Sequence, residues 1–99
     1  MPAYSVARLA ESDLKSIIRY TVRTWGRAQT VRYSQGLRNS FQLLADHPSL
    51  GRSCDSIFPC LRRFEQGKHV VFYLSQPGGV LIVRVLHQQM IPAKSHFDH

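Results

Sequence analysis

Four residues in the second half of the chain carry side chains suited to phosphate chemistry: Arg62, Arg63, Arg84 and His87. Guanidinium groups grip phosphate or carboxylate oxygens with paired hydrogen bonds, and a histidine beside them can carry a proton near neutral pH. Cleavage of RNA by its own 2′-hydroxyl asks for positioning, a proton shuttle and stabilisation of charge on the phosphorane. Each residue also has a simpler structural reading. Arg62 or Arg63 can pair with Glu65, Asp55 or a helix end, and His87 can cap a carbonyl at a strand end.

Other reactive types are sparse. His96, Asp98 and His99 could suggest a metal, but in a terminal tail a solvated segment is the simpler reading. Cys54 and Cys60 are too few for a disulfide framework or an all-cysteine zinc site, so free thiols are expected. The sequence has no P-loop, dinucleotide fingerprint, HExxH motif or nucleophile elbow. No metal or cofactor is implied.

The elements that must position these groups follow from periodicity. Leu61–Met90 holds the two most hydrophobic runs, rich in β-branched and aromatic residues and punctuated by Gly67 and by Pro77, Gly78 and Gly79. Three antiparallel strands are expected there. In the last, Leu81, Val83 and Val85 should face the helices, with Arg84 on the more open side. Arg63 and Glu65 alternate with Arg62 and Phe64, so arginines of neighbouring strands could converge on the open face. In the middle strand Tyr73 reads as core.

Upstream, Ala3–Leu9 alternates loosely as a first strand, and Glu11, Ser12 and Asp13 read as a helix start. Leu14, Ile17, Ile18, Val22 and Trp25 form a helical apolar stripe, and Lys15, Arg19, Arg23 and Arg27 form a basic ridge. Gly26 should end this helix with a positive φ. A second helix from Arg27 or Ala28 to Asp46 carries Val31 or Tyr33, Leu37, Phe41, Leu44 and Ala45, and Pro48 stops it. Residues 47–59 read as an irregular connector, and 91–99 as a loosely held tail. The expected fold is α+β in two layers: an antiparallel helical hairpin packed on one face of a mostly antiparallel sheet, in the order β-α-α-β-β-β.

The chain has 99 residues, which suits one domain over 1–99. Net charge is +7, and ten of the 13 basic residues are arginine. That balance admits either a solvated basic surface or a negatively charged partner, whether nucleic acid, a nucleoprotein machine or an acidic protein. No apolar run is long enough to span a membrane, and the N-terminus lacks the pattern of a secretory signal. A cytoplasmic protein is expected.

A family likeness is carried by Asp13-Leu14 with Ile17 and Tyr20, by Trp25-Gly26, and by Gly51-Arg52-Ser53-Cys54-Asp55. It continues through Pro59, Leu61-Arg62-Arg63-Phe64, Gly67 with His69-Val70-Val71-Phe72-Tyr73, and Arg84-Val85-Leu86-His87-Gln88 with Met90. In order and spacing these resemble ParE-type toxins of the RelE/ParE superfamily, the toxin half of type II toxin–antitoxin modules. The resemblance implies the hairpin-on-sheet fold and a small cognate antitoxin, ParD-like or of another kind. It also implies action on DNA gyrase by protein contact rather than catalysis, with no membrane and only indirect contact with DNA. Antitoxin contact would fall to Arg19, Arg23, Arg63 and Arg84, and target contact to Arg62, His87, Gln88 and Met90. RelE-like relatives instead cut mRNA on the ribosome, and on that alternative Arg63, Arg84 and His87 would be catalytic. A third possibility is an antitoxin-binding component without toxicity. The His-Gln-x-Met ending is typical of the ParE-like branch. The sequence departs from that branch at Cys60, where glycine is common, and at Ile91, where an acid is common.

Overall fold

A computed structural model describes residues 2–90 and residue 97. Its elements are β1 (Ala3–Val6), α1 (Arg8–Trp25), α2 (Arg27–Asp46), β2 (Arg52–Ser53), β3 (Arg62–Gln66), β4 (His69–Gln76) and β5 (Gly79–His87). The sheet runs β1-β5-β4-β3-β2, with β1 parallel to β5 and the other pairs antiparallel. Two helices cover one face of it, so the expected two-layer α+β architecture and strand–helix order hold. The connector adds a two-residue strand, β2, that pairs with β3. The tail beyond Met90 lies outside the described residues except for Phe97. No described helix is long and apolar enough to cross a membrane.

The first helix begins earlier than its acidic cluster suggests. Ala7 donates its N–H to Ile82 O at 2.9 Å and accepts Glu11 N–H at 2.9 Å, so β1 passes straight into α1. Glu11 then sits in the first turn, where the helix dipole favours an acid. Ser12 and Asp13 fall inside the helix instead of capping it. Gly26, with φ of 86°, separates the two helices as expected.

The packed seam of α1 also differs from the expected stripe. Ala10 and Thr21 are buried, Leu14 and Ile17 pack partly against the core, and Ile18, Val22 and Trp25 are exposed. Residues at spacings of four, three and four lie along one side of a helix, and here that line is Ala10, Leu14, Ile17 and Thr21. A hydroxyl is tolerated in the seam because Thr21 Oγ1 donates to Ile17 O at 2.7 Å. On α2 the buried line is Leu37, Phe41, Leu44 and Ala45, with Tyr33 partly covered and Val31 exposed.

The last strand contains the main correction. Phe72 pairs with Arg84, yet Tyr73 pairs with Ile82, leaving Val83 as an extra residue in β5. Such a bulge breaks strict alternation. Val80, Ile82 and Val85 therefore join the helix-side core, while Leu81, Val83 and Leu86 join the opposite face. The expectation that Leu81, Val83 and Val85 share the helix side is overturned for the first two. The far face is itself apolar: Val70, Phe72, Val83 and Leu86 cluster there with Leu61, Cys54 and Phe97. The Phe97 ring stands edge-on to Phe72, with centroids 5.1 Å apart.

Tyr73 is core, as expected. Its hydroxyl donates to Pro48 O at 2.7 Å and accepts from Gly51 N–H at 2.8 Å, pinning the connector under the sheet.

Candidate functional site

The four residues singled out for phosphate chemistry do not form one constellation. Arg63 and Arg84 both stand beside Phe72 in the sheet register, one on each flanking strand. Their side chains then part. Arg63 lies over the Phe72 ring, 5.7 Å from its centroid, and its Nε is 3.4 Å from Glu65 Oε1. Arg52 also pairs with Glu65. Arg62 turns away toward the connector and donates to Gly51 O at 2.5 Å. That bond braces a loop, the structural reading considered for it, although with a carbonyl in place of an acid.

Arg84 is held by an acid that the sequence placed at a helix start. Its Nε donates to Asp13 Oδ2 and its Nη2 to Asp13 Oδ1, both at 2.8 Å. Asp13 Oδ2 also accepts the Val85 N–H at 3.0 Å. Both side chains are mostly buried, at 16% and 14% exposure. Forked guanidinium–carboxylate bonds of this kind are strong and orientation-specific. The hydrogen bond to Asp13 raises the Arg84 pKa above its ordinary value. Arg84 is thus bound to α1 and is not displayed on an open sheet face, which corrects the sequence reading.

His87 ends β5 opposite His69 of β4, the rings edge-on with centroids 5.4 Å apart. His87 Nδ1 accepts the Gln89 N–H at 3.1 Å, which curls the chain beyond the strand. Gln88 and Met90 follow, both exposed, with backbone N–H groups bonded to Lys68 O and His87 O.

Two clefts meet at this end of the sheet. One lies between α1 and β5 and is lined by Asp13, Ser16, Tyr20, Arg84, His87 and Met90 among others. The second, about 340 Å³, sits at the corner of the hairpin and includes Tyr20, Trp25, Tyr33, Lys68, His69 and His87. Tyr33 is its fixed wall. The phenol oxygen accepts Lys68 N–H at 3.1 Å, donates to Gln66 O at 3.1 Å and lies 2.5 Å from His69 Nδ1. Gly67, with φ of 59°, packs so closely that an added Cβ would sit 2.6 Å from the Tyr33 ring. Only glycine fits both that backbone and that approach. Burial, with His87 second, lowers the His69 pKa, and burial raises that of Tyr33. Tyr33, His69, Tyr20 and Trp25 were not named as site residues from the sequence. Their signal was weak there, since aromatic residues at helical spacing usually mean core.

Of the basic ridge, Arg19 and Arg23 are exposed on α1. Arg19 donates weakly to Ser16 Oγ at 3.4 Å. Near them, Ile18, Val22 and Val31 are also exposed, at 37%, 47% and 63%. Cys54 is buried and Cys60 exposed, both as free thiols, and burial pushes the Cys54 thiol up. Cys60 has φ of 66°, the one positive φ among described non-glycine residues. Its N–H is held by Asp55 Oδ1 at 2.8 Å. His96, Asp98, His99 and Ile91 lie outside the described residues.

Comparison with known proteins bears on the whole chain. Residues 4–92 match the model of a family described as ParE toxin of type II toxin-antitoxin system, parDE. The chain is 36% identical over 96 residues to Toxin ParE1 of Caulobacter vibrioides, covering 97% of this chain and 98% of that one. It is 40% identical over 91 residues to Toxin ParE of Escherichia coli, covering 91% and 88%. Toxin ParE1 of Mycobacterium tuberculosis is 35% identical over 88 residues, with 88% and 90% covered. Among solved structures, the chromosomal ParDE TA system from P. aeruginosa superposes with a TM-score of 0.73, covering 88% of this chain and 96% of that one. Sequence identity there is 19%, so that likeness speaks to the fold.

Proposed function

This chain belongs to the ParE toxin family of type II toxin–antitoxin systems, and from that premise we propose that it inhibits DNA gyrase by protein contact and is held inactive by a cognate antitoxin. The observation that carries the reading is the family match across residues 4–92. The geometry supports contact over cleavage. Arg84, in the cleft that His87 also lines, is forked onto Asp13, and Arg63 lies apart from both between Glu65 and Phe72. The ribonuclease alternative needs all three around one phosphate.

The toxin acts in the cytoplasm as a single domain. The exposed Ile18, Val22 and Val31 beside Arg19 and Arg23 suit an antitoxin segment that carries apolar anchors among acids. A segment that orders on binding can cover so long a surface. The exposed end of the sheet, with His87, Gln88 and Met90, is the face offered to gyrase; Arg62 braces the connector through Gly51 O and stands away from that face, level with Tyr73.

The test is a supercoiling and cleavage assay with purified gyrase. The expected result is loss of supercoiling with accumulation of cleaved DNA at toxin excess, relieved by the antitoxin encoded beside the toxin gene. Unimpaired supercoiling at saturating toxin would reject the target.

A further inference from the structure

Trp25 is the chain's single tryptophan, and it is 61% exposed at the mouth of the hairpin-corner cleft. Tyr20, at 64% exposure, flanks the same opening. Together with Tyr33 these put three aromatic rings around a volume of about 340 Å³. Aliphatic walls would serve an aliphatic guest, whereas aromatic rings offer faces on which another flat ring can stack. Thr21 and Gln29 add a hydroxyl and an amide, and the lining includes no carboxylate.

Cations surround the opening. Lys68 Nζ lies 5.8 Å from the Trp25 ring centroid, in a cation–π contact that an anion could replace. On α1, Arg23 is three residues beyond Tyr20 and therefore its neighbour on the helix surface. Arg19 lies one turn before Arg23, about 6 Å along the axis. Among the described residues, neither arginine is ion-paired.

We propose that this cleft takes a base of a single-stranded nucleic acid, with the phosphates that follow it running past Lys68 and along Arg19 and Arg23. Aromatic platforms beside cationic tracks are how proteins hold single strands without reading sequence, since every base has a face to stack. A duplex keeps its bases stacked inside and cannot present one to the cleft. The cleft shares His87 with the face offered to gyrase, and its track shares Arg19 and Arg23 with the antitoxin surface; binding here requires no catalytic group.

Because Trp25 is the sole tryptophan, its fluorescence reports on the site alone. The experiment titrates the purified protein with an eight-nucleotide oligodeoxyuridylate, with oligouridylate of the same length, and with a DNA duplex. Saturable quenching by a single strand, stronger than by the duplex and weakened by added salt, is the expected result. A difference between the two single strands identifies the sugar preferred. Tyr20→Ala, at an exposed position that leaves the core intact, should weaken binding about fivefold or more by removing one stacking face. Arg23→Gln should lower the salt slope by about one unit. Absence of quenching by either strand overturns the proposal. So does unchanged affinity in Tyr20→Ala, or quenching by an acidic peptide with apolar residues when the oligonucleotides give none. The titration uses no gyrase, so its failure and failure of the gyrase reading are told apart.

Discussion

Asp13 is a residue whose value lies in three bonds made at once. It neutralises Arg84 through a fork and accepts the Val85 N–H at the point where β5 leaves its bulge. Removing it strands a mostly buried guanidinium and an amide together. Asp13→Ala should therefore destabilise the fold by about 3 kcal/mol, read as a lowered urea midpoint. Arg84→Glu should fare as badly, because it sets a second acid against the first. Loss of antitoxin binding in that variant would report on folding, whereas Arg19→Glu and Arg23→Glu test the surface cleanly. Cys60 makes the opposite case. Its φ of 66° costs a side-chain-bearing residue about 1 kcal/mol. Glycine removes that strain but adds freedom to the unfolded chain. Cys60→Gly should raise stability by about 0.5 kcal/mol in chemical denaturation, and a fall would show that the added freedom of the unfolded chain outweighs the strain.

Strands and helices meet where β4 begins and β5 ends beneath the hairpin corner. Burial first and His87 second lower the His69 pKa there, and Tyr33 is bonded to its ring. A histidine whose pKa is lower folded than unfolded takes up its proton more readily in the unfolded chain. Stability is then full above the unfolded value of about 6.5 and is lost as pH falls from there toward the folded value. Urea midpoints measured from pH 8 downward should drop below pH 6.5, and His69→Gln should flatten that dependence. On the other side of the hairpin, Ile18 and Val22 are exposed and contribute little to the core. Val22→Asp should leave the thermal midpoint within a degree or two yet weaken antitoxin binding at least tenfold by calorimetry. Unaltered affinity would place the antitoxin elsewhere.

At the scale of the whole molecule, the sequence revealed the layers more readily than the details of contact. The change from period two to helical spacing at Leu14, the break at Gly26 and the turn at Pro77-Gly78 were enough to order the elements. Tyr73 and Gly67 were correctly set in the core and at a turn. The bulge at Val83 was not legible, because both faces of β5 are apolar and either alternation satisfies the pattern. The Asp13–Arg84 bond was not legible either, since its partners lie 71 residues apart and each has a plausible local role. The same separation bears on how the toxin is made. The first strand takes its sheet partner from the last, with Ala3 to Val6 registered on Gly79 to Ile82. A ribosome releasing the chain from its N-terminus cannot complete this sheet until the final strand emerges. Until then β1 and Asp13 lack their β5 partners, and a message cut before the codon for Gly79 yields a chain that cannot complete the fold.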